Sequence, residues 1–228
     1  MGDQAQVKSL QRVADHGEVF TNIREVNAML DLVKHETERI ESRFLEPACG
    51  TGNFLSEILR RKLNVVQERY RSSQFEFEFN SIIAISSIYG IDILEDNVIE
   101  CRKRLFDIFN DEYYQKLYKD SCKQACKDSA RYILSLNIVW GDALTMKTIS
   151  NPEEAIMFPE WSPINASKIQ RRDFTYDMLV PGHASTEIDD ELDVFGLISD
   201  LGEETYIPNP KKVYSPMHFL ELQNVEHN

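Results

Sequence analysis

The stretch that decides the fold is residues 45–54, Leu-Glu-Pro-Ala-Cys-Gly-Thr-Gly-Asn-Phe. A short extended segment precedes Pro47, because proline disfavours helical backbone in the residue before it. Gly50 and Gly52 form a tight turn in which the backbone can approach a ligand closely, since neither residue carries a Cβ. Apolar residues at helical spacing follow from Phe54, so a helix is expected directly after the turn. A helix start offers N–H groups without an intrahelical acceptor, so this arrangement is typical of a nucleoside-cofactor site.

Helices and strands alternate on both sides of this turn. Residues 22–41 have helical spacing, and Asn22 with Glu25 predicts an N-cap box. The run 82–91 is rich in β-branched residues and predicts a buried strand. Further predicted elements are a helix over 95–109, one or two helices over 112–135, and a strand over 137–140 broken by Gly141-Asp142. This alternation predicts an α/β fold with a mainly parallel sheet, and the strand ends at 46–52, 90–92 and 141–143 should converge at one edge.

The chain divides into two regions by charge. Its net charge is -13, of which residues 1–149 carry -3 and residues 150–228 carry -10. Beyond residue 150 the alternation ends, and short extended pieces at 156–158 and 168–179 are joined by a turn. The segment 182–206 has eight acidic residues and no Lys or Arg, with apolar positions that allow a short helix. We therefore expect a core domain over 1–150 and an irregular acidic C-terminal extension over 151–228 that completes the sheet and docks a partner.

Composition excludes several classes of protein. A hydrophobic share of 42% is that of a globular chain with a core, and the net charge disfavours a wide basic face for nucleic acid. Two local basic stretches, at 60–71 and 168–172, either contact phosphates or are solvated faces.

No segment is long and apolar enough to suggest a membrane span. Four cysteines are too few for a disulfide framework, so we expect a cytoplasmic protein. Cys122 and Cys126, predicted on one helix face, are too few ligands for a metal site, and none is expected.

Residues 46–52 resemble the first motif of the S-adenosylmethionine-dependent DNA methyltransferases, in particular those that act on adenine N6. Residues 17–21 are similar to the upstream segment that contacts the methionine end of the cofactor, and 89–93 and 140–144 are similar to the second and third motifs. This order is that of modification subunits of restriction–modification systems. The resemblance covers residues 12–145 and implies a Rossmann-like methyltransferase fold, S-adenosyl-L-methionine as cofactor, and an enzyme that transfers its methyl group.

The resemblance also implies roles for individual residues. Asp92 is expected to accept hydrogen bonds from the ribose hydroxyls, and Glu46 to face the sulfonium or amino group. Asp142 is expected to accept from the adenine amine, beside the Ala143 N–H, while Ile93 packs on the ring. Alternatively, Asp92 is an exposed strand-end residue, Glu46 a solvated acid and Thr21 a helix cap. The full cofactor-binding set is Thr21, Glu46, Pro47, Ala48, Cys49, Gly50, Thr51, Gly52, Asn53, Phe54, Asp92, Ile93, Asp142 and Ala143.

One motif of the family is missing. Adenine-N6 enzymes carry Asn/Asp-Pro-Pro-Tyr/Phe, which holds and stacks on the flipped base, and this sequence has no such string. The nearest match is Phe-Pro-Glu-Trp at 158–161, so no catalytic residue is assigned and Trp161 is a weak candidate for base contact or else a packed core aromatic. About 80 residues after the third motif are also too few for the family's usual target-recognition domain.

Three explanations remain open. In the first, the chain is one part of a split DNA methyltransferase, and a second methyltransferase or restriction subunit supplies the missing motif and the grip on DNA. In the second, it is a stand-alone methyltransferase for a non-DNA acceptor. In the third, it is a non-catalytic module that binds the cofactor or forms a scaffold.

Overall fold

A computed structural model of the chain describes residues 21–180, 197–198, 204–205 and 209–227. The α-helices are α1 Ile23–Asp31, α2 Lys34–Thr37, α3 Asn53–Tyr70, α4 Gln74–Ser86, α5 Glu95–Asp107, α6 Gln115–Tyr118, α7 Gln124–Asn137 and α8 Tyr176–Leu179. A π-helical turn, Ile108–Tyr114, continues α5, and short 3-10 helices span Lys119–Ser121 and Leu222–His227. The strands are β1 Phe44–Glu46, β2 Ile88–Asp92, β3 Ile138–Asp142, β4 Lys147–Thr148, β5 Met157–Pro163, β6 Lys168–Thr175, β7 Leu197–Ile198, β8 Glu204–Thr205, β9 Lys212–Val213 and β10 Met217–His218.

The first sheet has the order β1-β2-β3-β4. Strands β1, β2 and β3 are parallel, with Glu46 opposite Gly90 and Asp92 opposite Trp140, while β4 is antiparallel to β3. Every residue of β2 is buried, as a central parallel strand covered on both faces requires. The protein is therefore a mixed α/β structure, and the predicted alternation of helices with parallel strands is confirmed up to β3.

A second sheet follows the first in the chain. Strands β5 and β6 form an antiparallel hairpin, and β10 and β9 both pair with β6. The extension beyond residue 150 was expected to complete the first sheet, but β5 and β6 build a separate antiparallel sheet instead. A small apolar cluster joins the two sheets, since Tyr89 and Ile91 of β2 pack with residues of the hairpin region: Ile156, Phe158 and Tyr176.

The largest error of the sequence prediction concerns residues 82–86. The β-branched run predicted a strand from 82 to 91, but Ile82–Ile85 belong to α4, and β2 begins only at Ile88. All four of these residues are buried, because α4 packs against α3 on one side and α7 on the other. A helix enclosed on several sides is apolar around most of its circumference, so periodicity does not separate it from a buried strand. The sequence does contain a signal for the start of a helix, because Ser73 is followed three residues later by Glu76. In the structure the Ser73 hydroxyl accepts a hydrogen bond from the Glu76 N–H and caps α4.

Several smaller predictions also differ from the structure. Strand β3 continues through Gly141 and Asp142 rather than breaking there. Cys122 lies before the start of α7, so it does not share a helix face with Cys126. Within the acidic segment 182–206, where the apolar positions allow a short helix, Leu197–Ile198 is extended and pairs with β8, and apart from these two strands the segment lies outside the described part. Across the described ranges, no helix has the length and apolar character needed to cross a bilayer.

Candidate functional site

The glycine loop, residues 46–52, leaves the carboxyl end of β1 and runs into α3. Two hydrogen bonds fasten it to the neighbouring strand: Cys49 N donates to the Ile91 carbonyl at 2.9 Å, and Gly50 N donates to Asp92 Oδ2 at 2.8 Å. Gly50 and Gly52 have φ values of 52° and 83°, in the left-handed region that favours glycine. The loop and the acidic end of β2, predicted to converge, are therefore in direct contact.

Close packing explains why Gly52 has no side chain. A Cβ built at this position would lie 2.6 Å from the Sγ atom of Cys101 on α5, which is fully buried. At Gly90, a Cβ would lie 3.0 Å from Cys49 and Leu55. The loop thus lies against both α5 and β2 without space for added atoms, and this packing holds its backbone in one conformation.

The Asp92 carboxylate is the centre of a hydrogen-bond network. Besides the Gly50 N–H at Oδ2, its Oδ1 accepts from Leu94 N at 2.9 Å and from Asn97 Nδ2 at 3.2 Å. Asp92 is only 9% exposed, so it is not the exposed strand-end residue of the alternative interpretation. A carboxylate has about four acceptor directions, and these three donors leave about one for a ligand hydroxyl. Asp92 therefore positions the loop whether or not it also binds a ribose.

Asn53, the first residue of α3, joins the loop to two other segments. Its Nδ2 donates to the Thr21 carbonyl at 2.9 Å, and its Oδ1 accepts from Arg104 at 2.6 Å. The structure thus brings Thr21 to the glycine loop, through its backbone rather than its hydroxyl. Asn22, not Thr21, caps α1, because its Oδ1 accepts from Arg24 N. The rest of the predicted upstream segment, residues 17–20, lies outside the described residues.

The ends of β2 and β3 lie side by side. Trp140 Nε1 donates to the Ile93 carbonyl at 3.1 Å, and the Ile93 side chain is 42% exposed next to this bond. Asp142 Oδ1 accepts from Leu144 N at 2.8 Å, which shapes the turn that contains the half-buried Ala143. An exposed apolar side chain beside a carboxylate and a turn suits a planar heterocycle with an amine.

Other predicted residues of the loop divide into buried and accessible ones. Burial raises the pKa of the Glu46 carboxyl, and a hydrogen bond from the Ala48 backbone opposes this shift. Pro47 and Ala48 are exposed, while Thr51 is buried and Phe54 packs against the core. Cys49 is buried and its pKa is raised by a hydrogen bond with Cys101 and by burial, so its thiol is a poor nucleophile. Of the two titratable side chains in the loop, Glu46 rather than Cys49 is therefore the one suited to a neighbouring cation.

Trp161 lies in the core rather than at the edge where the strand ends meet. It is 7% exposed, its Nε1 donates to Asn137 Oδ1 at 3.0 Å, and its ring packs edge-on against Tyr132. In this position the ring has no open face for a base, so Trp161 is a packed hairpin aromatic, the alternative considered for it from the sequence.

The basic stretches are largely used within the chain. Arg60 pairs with Glu112 at 2.7 Å, and Arg61 pairs with Asp31 at 2.8 Å. Lys62 is fully buried among backbone carbonyls. In the second stretch, the pairs are Arg171 with Asp173 at 2.7 Å and Arg172 with Glu160 at 2.7 Å. These side chains stabilise the fold, and phosphate contact would require most of them to leave an existing partner.

The residues that sequence reasoning missed all lie on α5. Asn97, Cys101 and Arg104 each contact the glycine loop or its anchor Asp92. They belong to no motif of the sequence, and their contact with the loop depends on how α5 packs. Among the described residues, no group of three or more His, Cys, Asp or Glu side chains is placed to hold a metal ion.

Comparisons with protein-family models, with curated proteins and with solved structures found no match for this chain.

Proposed function

We propose that this chain is the S-adenosylmethionine-binding subunit of a DNA adenine-N6 methyltransferase, part of a restriction–modification system in the cytoplasm, and that a partner chain completes its active site. The observation that carries the proposal is the hydrogen bond from Gly50 N to Asp92 Oδ2, at 2.8 Å. It joins a left-handed glycine loop at a helix start to an acid at the end of the adjacent parallel strand, which is the arrangement of a nucleoside-cofactor site.

The residues present fit the proposed cofactor. The N–H groups of Cys49, Gly50 and Gly52 are bonded within the protein, so the donors offered to a ligand are those of the first turn of α3. The positive φ values of Gly50 and Gly52 shape the tight turn that brings this helix start to the end of β2. Asp92 has about one acceptor direction left for a ribose hydroxyl. Ile93 offers apolar surface to the adenine ring, and Asp142 has a second carboxylate oxygen for its amine. These assignments agree with the roles that the sequence motifs imply.

Glu46 has a specific electrostatic role in this proposal. Burial raises the pKa of its carboxyl. A neighbouring positive charge acts in the opposite direction, because it favours the ionised carboxylate and is in turn stabilised by it. S-adenosylmethionine supplies an electrophilic methyl group on a cationic sulfonium. The chain's own contribution is to bind and orient that cation, and orientation is the main source of rate in a direct displacement.

The part of the proposal that concerns a partner rests on what the chain lacks. Its sequence contains no Asn/Asp-Pro-Pro-aromatic string, and Trp161, the one aromatic considered for base contact, is buried. The side chains of the basic stretches are mostly engaged in internal contacts. We therefore assign contact with the target base and with DNA to a second methyltransferase or restriction subunit.

Two measurements test the proposal. Titration calorimetry with S-adenosylmethionine should show micromolar binding to the chain, lost in Asp142→Ala and kept in the control Asp128→Ala, whose side chain is 42% exposed on α7. Transfer of a tritiated methyl group to DNA adenine should occur only when the chain is combined with a second chain that carries an Asn-Pro-Pro-Tyr-like motif, which we expect a neighbouring gene to encode.

Each other result points to a different function. Methylation of DNA by the chain alone contradicts the split arrangement. Transfer to a non-DNA acceptor indicates a stand-alone enzyme, and binding without transfer in any mixture indicates a sensing or scaffold module. Absence of cofactor binding rejects both enzyme assignments and the sensing module, and leaves the scaffold.

A further inference from the structure

Strand β1 carries the glycine loop but is the edge strand of its sheet. It pairs with β2 on one side, where Phe44 N donates to the Ser87 carbonyl at 2.9 Å. Hydrogen-bonding groups alternate along a strand, so the N–H and carbonyl of Leu45 point to the opposite side. Within the described ranges, no hydrogen bond involves this N–H or carbonyl. The strand therefore presents one open donor and one open acceptor, the groups to which a further strand binds.

A cavity of about 640 Å³ borders β1. Three consecutive residues, Arg43, Phe44 and Leu45, line it. The rest of its lining is largely apolar and includes Tyr89 of β2 together with Phe158 and Phe174 of the hairpin. The cavity thus combines an open main-chain edge with pockets for apolar side chains, which is the pattern used in β-strand addition.

The rim of the cavity has an excess of positive charge. Arg43 contacts Glu160 at 2.8 Å and Arg172 contacts the same carboxylate at 2.7 Å, so two guanidinium groups share one anion. The Arg43 side chain is 61% exposed and that of Arg172 is 38% exposed. One further carboxylate would balance this group, and it would meet Arg43 at the amino end of β1. The charge therefore selects an occupant with an acidic residue at that end.

We propose that an extended segment of the partner chain adds to β1 as a parallel strand, with an acidic residue against Arg43 and an apolar side chain in the cavity. The inference rests on the proposed function, since the occupant is the chain that would supply the missing base-binding motif. A parallel orientation continues the order of β1, β2 and β3. It also places the carboxyl end of the added strand beside the glycine loop, so residues that follow the strand reach the proposed methyl donor.

Photo-crosslinking in cells tests the site. Benzoylphenylalanine replaces Leu45 in the chain expressed from its own locus, and crosslinked peptides are mapped by mass spectrometry. The control places the same residue at Leu144, which is 93% exposed and does not line the cavity. We expect position 45, and not position 144, to crosslink to a segment of a different protein that contains an acidic residue followed by alternating apolar residues.

A charge reversal gives a second, quantitative readout. Arg43→Glu should weaken association with the crosslinked partner at least tenfold, and Arg39→Glu, whose side chain is 58% exposed, should leave it unchanged. Both variants should bind S-adenosylmethionine as the unaltered chain does, because neither residue contacts the glycine loop.

Several outcomes overturn the inference. These are crosslinks from position 45 only within the same chain or to a second copy of it, equal crosslinking from both positions, no crosslinking, or an Arg43→Glu variant that keeps its partner. Failure of the proposed function is separate: a chain that crosslinks as expected but binds no cofactor keeps the strand site and loses the methyltransferase assignment. A chain that binds the cofactor but does not crosslink keeps the function and loses the strand site.

Discussion

Gly52 is the position where a single added methyl group should do most damage. Its φ of 83° costs a residue with a Cβ about 1–2 kcal/mol, and the new Cβ would lie 2.6 Å from Cys101 Sγ. We expect Gly52→Ala to lower the free energy of unfolding by about 2 kcal/mol or more and to abolish cofactor binding. Chemical denaturation and titration calorimetry measure the two effects.

A second substitution separates the two causes. Cys101→Ala removes the Sγ atom that the new Cβ would meet, so Gly52→Ala combined with Cys101→Ala should relieve the clash and leave only the backbone strain. Unchanged denaturation midpoints for Gly52→Ala would show that the loop relaxes freely, and the tight packing of Gly52 against α5 would then not fix the loop.

Glu46 should make cofactor binding depend on pH. Burial raises its pKa above the ordinary value of 4.5, and a bound cation stabilises its ionised form. As the pH falls through this raised pKa, the carboxyl takes up a proton and the cation loses its partner. We therefore expect affinity for S-adenosylmethionine to fall on acidification, by at most about tenfold per pH unit.

Calorimetric titrations between pH 5 and pH 8 measure this dependence. Glu46→Gln should bind more weakly at neutral pH and lose the acid dependence, while Glu41→Gln, whose side chain is 62% exposed, should behave as the unaltered chain. The same slope in Glu46→Gln would assign the titration to another group.

At the scale of elements, a single lysine joins α3 to the strands beneath it. Lys62 is fully buried, and its Nζ donates to the carbonyls of Ile40 and Ser42 and to Ser87 Oγ. These acceptors lie before β1 and before β2, so the contact aligns the starts of both strands with the helix that follows the glycine loop. Burial lowers the pKa of Lys62 to about 7 from its ordinary value of 10.5.

This pKa predicts a dependence of stability on pH. Between pH 7 and pH 10.5, Lys62 is protonated in the unfolded chain but only partly protonated in the folded chain. Raising the pH therefore favours the folded chain, and the free energy of unfolding rises with pH in this window. The rise is at most about 1.4 kcal/mol per pH unit. Denaturant titrations measure the free energies of unfolding of the unaltered chain and of Lys62→Met. The difference between these two free energies should grow as the pH rises over this window. Lys168→Met, an exposed lysine, is the control, and a constant difference for Lys62→Met would contradict the pKa.

For the whole molecule, charge and internal pairing together argue against DNA binding by this chain alone. The net charge is -13, and Arg60, Arg61, Arg171 and Arg172 each contact a carboxylate. Non-specific binding comes from free cations that displace counterions from the phosphates. We expect a dissociation constant weaker than about 100 μM for duplex DNA at physiological salt, measured by fluorescence anisotropy. The complex with the proposed partner chain is the positive control, and submicromolar binding by this chain alone would assign the DNA contact to it.

The sequence alone determined the local features. The glycine turn, the helix after it, and the acids that end β2 and β3 all follow from short-range rules about backbone freedom and periodicity. Only the tertiary structure decided that 82–86 is helical, that the hairpin forms its own sheet, and that Trp161 is buried. It also decided that Asn97, Cys101 and Arg104 hold the loop and that the outer edge of β1 is open within the described residues.

The physical reason is that a buried element shows the same apolar pattern whatever covers it. Which residues cover it, and which main-chain edges stay unpaired, depend on contacts between segments far apart in the chain.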